Sequence, residues 1–524
     1  MRPAVLPYSS ALGLACMQAW LGAVRAIDTD EIVTYFEQNL SAGSEVYVPA
    51  EGNWTTDVTQ RWNGLYEPNY LIAVKPAEET DIPKIVRADQ QHDSHRFTAS
   101  GLWCQSSIEA DRTLVLQIAY ASQNHVAFMG TGGGHGYTST TARLQNAIDI
   151  DLGFFRQVDV DVTNDQVTVG GAVLFDQVFD VLFEQGKLIR MVGVTLGGGV
   201  GPLQGLYGLI LDSLISVRIV TGTGEILTAS ATENSDLFWG VRGGGIHLGL
   251  VTSATYRIYD ASEKANGGQA LNADLFFTAD KSASVFELLE SYAGNQPDTY
   301  SIVSGILWSD DFNASMLMVN TVYWGPEDEG AVLNQPFLDL EPVVQNIGVL
   351  PWNRLTKENR FGGNSIDCAP EAEGVERAIY GLNLYSIDAA IFEDILADYD
   401  DFYQSNPDLR PSSMLAIEMH PRIVTMEVPD DATAYPHRET LGMNIISIVM
   451  PDQSYLPTVE TFATSIRQKL APMSGSSGIE VYVNYAHGDE GPEAWYGDNL
   501  DRLRQLKAEW DPSTLFNWTN GIVA

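Results

Sequence analysis

Apolar and polar positions fall into short blocks along most of this chain. Tyr70-Leu71-Ile72-Ala73-Val74 is an unbroken apolar run closed by Lys75-Pro76, the pattern of a buried strand, and Glu78 to Val86 has the spacing of the helix after it. A second apolar run, His125 to Met129, breaks into a glycine loop, and Ala147 to Leu152 is a third. Val158–Thr163 and Gln166–Gly170 flank Asn164-Asp165 as a hairpin, and Leu214–Val220 and Glu225–Ala229 flank Gly222-Thr223-Gly224 as another. Ile27–Leu40 and Leu174–Glu184 are spaced as amphipathic helices, and Leu250–Tyr256 as a strand. From about Ala261 the texture changes. Alternating stretches (Ala273–Thr278, Tyr300–Trp308, Met316–Trp324) interleave with helical ones (Ser282–Ala293, Asp388–Phe402). The last stretch, Ile479 to Ala524, predicts a strand and then a helix, Asp498–Trp510, stopped by Asp511-Pro512.

One segment does not fit. Arg87 to Leu116 is polar and aperiodic, and it interrupts a helix whose continuation reads Gln117 to Ala121, so it is an atypical insertion. His92-x-x-His95 lies inside it without an ordered framework and reads as solvated loop; no metal site is expected.

Length and charge narrow the class. The 524 residues exceed the roughly 250–300 at which single cores stop growing, so more than one domain is predicted. With 29 Lys+Arg against 68 Asp+Glu, nucleic acid and anionic membrane surfaces are excluded as partners. Met1-Arg2, an apolar segment around Ala11–Val24 and Val24-Arg25-Ala26 read as a secretory signal peptide cleaved near Ala26, too short to span a bilayer. A secreted protein is expected. Sequons at Asn39, Asn53, Asn313 and Asn517 are then candidate glycan sites. Of three cysteines, Cys16 falls in the leader, and Cys104 and Cys368 make neither a disulfide framework nor a thiolate metal site.

The chemistry gathers at glycine clusters. Gly130-Thr131-Gly132-Gly133-Gly134-His135-Gly136-Tyr137 holds five glycines and one histidine. Such a loop exposes successive N–H groups to an anion such as a diphosphate. The Rossmann reading fails, because no amphipathic helix opens at the loop and the G-x-G-x-x-G spacing is absent; a Walker A lysine is absent too. Gly193 to Gly201 repeats the glycine density, and Gly243-Gly244-Gly245 follows beside Arg242. Three clusters within one region predict an extended dinucleotide wrapped by several loops.

These residues resemble the berberine-bridge-enzyme-like branch of the vanillyl-alcohol-oxidase flavoproteins. The motifs are Gly133-Gly134-His135-Gly136-Tyr137; Val192 to Gly201; Gly208-Leu209-Ile210-Leu211-Asp212; Asp236 to Gly245; Tyr435-Pro436-His437-Arg438; and Tyr482-Val483-Asn484-Tyr485. The resemblance implies an α+β protein, with a two-lobed PCMH-type FAD-binding domain and an antiparallel-sheet substrate domain with helices on one side. It implies segments 27–65 (N-terminal), 66–259 (FAD domain, carrying the 87–116 insertion), 260–475 (substrate domain) and 476–524, which completes the FAD domain. It also implies FAD bound covalently through His135. The cofactor contacts it implies are Gly132, Gly133, Gly134, Gly136, Gly193, Thr195, Gly197, Gly198, Gly199, Gly201, Asp212, Gly249, Val251 and Asn484. Tyr485 is the implied base, with Tyr482 second.

The chain departs from that pattern in two places. Gly186 to Gly193 has no cysteine where many relatives attach the flavin a second time, so a histidyl link alone is expected. His247 stands where relatives carry asparagine. The implied activity is that of a monomeric oxidase of a small organic molecule, by hydride transfer to flavin with O2 as acceptor. An aromatic secondary metabolite is the expected substrate; a carbohydrate oxidase and a non-catalytic FAD-fold binding protein are the alternatives.

Overall fold

Short, strongly apolar strands need partners on both faces, and the chain supplies them in two units. The computed structural model describes residues 29–50, 52–86, 121, 126–189, 194–369, 372–475 and 478–523. The predicted leader, the 87–116 stretch with His92, His95 and Cys104, and the predicted cofactor contact Gly193 lie outside the described residues.

The first unit has two lobes. In the first lobe, β1 (Glu45–Tyr47), β2 (Tyr70–Lys75), β3 (Phe128–Thr131) and β4 (Ala147–Asp151) form a sheet in the order β1-β2-β4-β3. β4 runs parallel to both β2 and β3. It is buried along its whole length, as parallel strands usually are. Ile32 and Phe36 of α1 (Thr29–Asn39) pack on Ile72, Val74 and Ile148. The second lobe is antiparallel. β5 (Val158–Asp161) and β6 (Gln166–Gly170) form the predicted hairpin, and β7 (Lys187–Leu188) pairs on its own with a later strand. β8 (Leu214–Thr221) and β9 (Ile226–Ser230) form the second hairpin, and β10 (Gly249–Arg257) lies between β6 and β8. β11 (Tyr259–Asp260) is the partner of β7. α2 (Phe175–Phe183) and α3 (Ser235–Gly244) cover this sheet with Val178, Leu182, Leu237 and Val241.

The second unit is one seven-stranded sheet. In chain order its strands are β12 (Gln269–Thr278), β13 (Tyr300–Ser309), β14 (Ala314–Tyr323), β15 (Val344–Pro351), β16 (Arg377–Leu384), β17 (Met414–Met419) and β18 (Gly442–Val449). The spatial order is β15-β12-β14-β13-β17-β18-β16, with every pair antiparallel. α4 (Ser282–Tyr292), α6 (Ala389–Ser405) and α7 (Leu456–Leu470) cover one face, while α5 (Trp352–Glu358) leaves the edge strand and packs Trp352 on Phe179 of α2. Alternation sends Ile302, Leu317, Leu415 and Ile417 to the helices and Val303, Met318 and Glu418 to the other face, which looks towards the first unit.

The C-terminal segment returns to the first unit. Leu503 of α8 (Leu500–Trp510) packs against Gly240 and Gly244 of α3, where a Cβ would have no room. Thr138 Oγ1 donates to Asn520 Oδ1 at 2.6 Å and to the His487 carbonyl at 3.1 Å. The strand predicted after Ile479 does not form. Tyr482 N–H donates to Asn383 Oδ1 (2.9 Å) and Tyr485 N–H to Tyr482 O (2.7 Å), so local partners turn the chain into a 3-10 turn over Val483–Tyr485. Among the predicted glycan sites, Asn39, Asn53 and Asn313 are exposed, while Asn517 is half-buried with its Oδ1 enclosed. Cys368 is an exposed free thiol.

Candidate active site

The site begins where β3 ends. The carboxyl ends of parallel strands β3 and β4 carry the first glycine loop, the usual place for a ligand in such a sheet. Among the described residues the N–H groups of Gly132, Gly133, Gly134 and Gly136 donate no hydrogen bond within the protein, which leaves them free for an anion. Gly134 has φ +69°, and a Cβ there would lie 2.2 Å from the Gln60 carbonyl. That approach lets Trp62 N–H donate to Gly134 O at 3.1 Å. The indole of Trp62 then stacks on His135, with ring centroids 4.4 Å apart and planes 11° from parallel. The Arg377 guanidinium sits 4.0 Å from the same indole, and Trp62 Nε1 donates to Asp367 O. Surrounding protein, with the charges of Arg377 and Arg61 adding to it, holds His135 below the usual imidazole range. Its ring is therefore a neutral nucleophile near neutral pH, and it is exposed on its open side.

The second cluster is shaped by the C-terminal segment. A Cβ on Gly197 would fall 2.1 Å from Asn484 Oδ1, and one on Gly198 2.9 Å from the rings of Tyr435 and Tyr482. Gly199 N–H donates to Tyr482 Oη at 2.8 Å, and Asn484 Nδ2 donates to the same oxygen at 2.7 Å. Tyr482 is buried, and its hydroxyl is engaged in holding the loop. Thr195 Oγ1 and Tyr256 Oη are 2.9 Å apart, which ties the start of the loop to β10. Gly201 O caps the next turn by accepting from Gln204 N–H.

Tyr485 differs from Tyr482. It is half-buried, and its hydroxyl donates to Glu418 Oε2 on β17 at 2.8 Å. Its backbone lies against Gly381 of β16, where a Cβ would meet Tyr485 O at 2.4 Å. Burial, followed by the Glu418 charge, pushes the Tyr485 phenol well above its usual value, so Tyr485 is the proton donor of this pair at rest. Tyr137, two residues after His135, is raised by burial and also feels the Tyr482 and Glu418 charges. The 482–485 turn meets β17 at the Tyr485–Glu418 bond, and Tyr137 of the first glycine loop is close enough to feel both.

Other predicted positions have visible partners in the protein. The third cluster is not an open loop: Gly243 (φ +125°) lets the chain pass Tyr435 N, Gly244 packs on Leu503 and Gly245 on Leu196. Arg242 lies 4.5 Å over the Phe238 ring. Asp212 pairs bidentately with buried Arg438, at 2.9 and 3.1 Å, and accepts from Leu209 N–H, which clamps 209–213 to the Tyr435–Arg438 motif. Gly249 is held against Val220 O in the β10–β8 ladder, and Val251 precedes a bulge in the same strand. His247 is fully buried, with Nε2 2.8 Å from Tyr496 Oη.

Comparison with known proteins now decides the family. The berberine and berberine-like family model matches residues 481–523, and the FAD-binding domain model matches 107–230. The FAD-linked oxidoreductase azaL of Aspergillus niger is 34% identical over 496 residues, covering 92% of this chain and 96% of that one. The FAD-linked oxidoreductase fogF of Aspergillus ruber is 33% identical, covering 97% of each. The chain belongs to the berberine-bridge-enzyme-like FAD-linked oxidoreductases. Among solved structures, xylooligosaccharide oxidase from Myceliophthora thermophila C1 superposes with TM-score 0.72 at 20% identity, covering 95% of this chain and 99% of that one. 6-Hydroxy-D-nicotine oxidase from Arthrobacter nicotinovorans gives 0.69 at 18% identity, covering 92% and 98%. The fold is the two-lobed FAD-binding unit with an antiparallel substrate sheet.

As a berberine-bridge-like oxidoreductase the protein uses FAD, and its residues fit that group. The unengaged N–H groups of Gly132–Gly134 and Gly136 suit a diphosphate, and the open imidazole of His135 is placed at the end of that loop. One residue escaped the sequence reading. Glu427, before the Tyr435-Pro436-His437-Arg438 motif, is exposed beyond the short helix Ile423–Met426. The acid that reaches the site is Glu418. Its trace in the sequence is a single carboxylate inside the apolar strand Met414–Met419. Among the described residues no helix is long and apolar enough to cross a membrane.

Proposed function

We propose that this oxidoreductase is a secreted, monomeric oxidase of a small hydroxylated organic molecule, with FAD attached through His135 alone and O2 as the final acceptor. The hydrogen bond between Tyr485 and Glu418 carries the reading. When bound, FAD supplies the two-electron acceptor. The protein supplies the proton path. A substrate hydroxyl beside the breaking C–H gives its proton to Tyr485 Oη while the Tyr485 proton passes to Glu418, so hydride and proton leave together and a carbonyl remains. A phenol with a high pKa can act this way because its own proton has an acceptor 2.8 Å away. Tyr482, Asn484 and Asp212 position the loops, and Gly132–Gly134 and Gly136 hold the cofactor diphosphate.

The lining of the sheet face favours an aromatic metabolite over a sugar. Beside Glu418 the sheet face carries Val303, Met318 and Met443, and its polar residues Asp274 and Asn320 bond to each other, whereas oligosaccharides need more open polar partners. The leader reading, with exposed Asn39, Asn53 and Asn313, supports secretion and glycosylation. The deciding experiment is H2O2 release by the purified protein against sugars, alcohols and phenolic metabolites. Release with a phenolic alcohol supports the reading. A colourless protein, or no turnover together with no flavin bleaching under anaerobic conditions, overturns it.

A further inference from the structure

The substrate-side face of the sheet has a floor and a wall. Register places Asp274, Asn320, Val303 and Glu418 in one row across four strands, and Phe276, Met318, Gly305 and Ala416 in the next. Strands lie about 4.8 Å apart, so Asp274 and Glu418, three spacings from each other, are ~14 Å apart. Val303 and Met318 are 8% and 6% exposed and Phe276 and Glu418 are half-buried, while Ile302, Leu317 and Ile417 on the helix side are at most 2% exposed, so this face is the less tightly covered of the two. At its middle, Gly305 and Ala416 leave a flat, shallow strip, bounded on one side by Tyr485 resting on Gly381.

The opposite wall is built by a strained loop. Asp274 is fully buried and accepts from Arg360 N–H at 2.8 Å and Phe361 N–H at 3.1 Å. It holds these residues at φ +54° and +55°, a conformation that side-chain-bearing residues adopt only when surroundings over-determine it. The result is a ring pair: Phe361 lies parallel to Phe276 with centroids 4.7 Å apart and planes 7° from parallel.

Arg360 is the odd charge in this wall. The chain has more than twice as many acidic as basic residues (68 against 29), yet no described carboxylate lies within ion-pair distance of the half-buried Arg360 side chain. Its side-chain hydrogen bond goes to a neutral acceptor, Asn364 Oδ1. Its charge is felt at Asp367 and Cys368 as well as at His420. His420, two residues beyond Glu418, is held below its usual range chiefly by burial, with Arg360 adding and Glu418 opposing. His420 Nδ1 is also buried without a hydrogen-bond partner. The Arg360 backbone is anchored on Asp274 at the rim of the floor, with its guanidinium held beside Asn364.

We propose that Arg360 and the Phe276–Phe361 pair select the substrate. The ligand is a planar aromatic or enolic molecule with an ionised oxygen (phenolate, enolate or carboxylate) at the end remote from the hydroxyl that meets Tyr485. The inference rests on the oxidase reading above and narrows it. A flat ring fits the Gly305–Ala416 strip against the Phe361 wall. An anion gives Arg360 the charge-assisted bond that the protein withholds, and a neutral sugar would leave Arg360 unpaired.

The test uses the whole protein and two probes of one shape, 4-hydroxybenzoate and 4-hydroxybenzamide, whose hydroxyl lies at the end of the ring remote from the anion or amide. Affinity is read from the shift in thermal midpoint and, where flavin is bound, from its absorbance change. The anion should bind about tenfold more tightly than the amide, a typical gain from one charge-assisted bond. Arg360→Gln should abolish that difference and Arg360→Lys should keep part of it. Phe361→Leu should weaken both probes alike. Equal affinities in the unaltered protein, or a preference for the anion that survives in Arg360→Gln, overturns the inference. Loss of flavin would overturn the oxidase reading instead, since the thermal shift reports probe binding with or without colour.

Discussion

The Tyr485 hydroxyl donates to Glu418 across the boundary between the two units, from the C-terminal turn to the fifth strand of the sheet in spatial order. Neither residue has this partner until both units are folded. If the two act as one proton path, Tyr485→Phe and Glu418→Gln should each lower the rate of anaerobic flavin bleaching by about 10²–10⁴-fold while leaving flavin content intact. The double variant should lose little more than either single one, because groups that act as a unit are not additive. Tyr482→Phe should behave differently. It leaves the buried Gly199 N–H unpaired, at a cost to stability of about 1–3 kcal/mol, with a smaller effect on bleaching.

His135 is the proposed tether. His135→Ala should yield protein whose flavin is stripped by acid or detergent, whereas the unaltered protein should keep its colour through both. Colour that stays with the His135→Ala chain after denaturation would assign the link to another residue.

Asp149 makes stability depend on pH. It is fully enclosed on β4, accepts from Thr131 Oγ1 at 2.6 Å and is pushed up to about 7, mainly by burial and also by the charge of Asp151. A carboxyl whose folded pKa is raised binds more protons folded than unfolded between those two values. Stability therefore falls as pH rises from about 4 to about 7, by at most ~4 kcal/mol for this one group. Asp149→Asn keeps an acceptor for Thr131 and cannot ionise. Its thermal midpoint should match the unaltered protein near pH 4 and exceed it near pH 8. Parallel pH profiles for the two proteins would refute the assignment.

Lys507 and Asp511 form an ion pair with no exposed side-chain surface, 2.6 Å apart, and Lys507 Nζ also donates to His247 O and Phe516 O. Lys507→Met leaves the buried Asp511 without its counter-ion, which should cost about 3–5 kcal/mol in urea-unfolding experiments. Replacing both residues with apolar ones should restore little of that loss, because the His247 and Phe516 carbonyls and the Leu515 and Phe516 N–H groups lose their partners.

The early strands were legible because each is a short apolar run bounded by a turn residue. Tyr70–Lys75, Ala147–Asp151 and the two hairpins form within one residue or two of where periodicity put them. The edge strand Val344–Pro351 was not legible. It is open to solvent on both faces, so burial leaves no alternation to find. Val481-Tyr482-Val483 has strand composition, but Asn383, distant in sequence, takes its backbone N–H. The glycine clusters were visible but not their division of labour. Gly132–Gly136 leave N–H groups open, whereas Gly197, Gly198 and Gly243 admit Asn484, Tyr482 and Tyr435. Glu418 could not be placed at all, because its role comes from register in a sheet whose strand order is not the chain order.

The missing Cβ of Gly381 lets the C-terminal turn seat on the edge strand of the second unit. Tyr485 can settle only on the finished edge of a sheet made earlier in the chain, and the same turn closes the glycine loop through Tyr482. A nascent polypeptide that has emerged only as far as the substrate sheet has its floor, its wall and its acid, but no phenol between them. Until residues 481–485 have docked, Glu418 stands on the sheet without the Tyr485 hydroxyl, so the two halves of the proposed proton path come from segments that meet last.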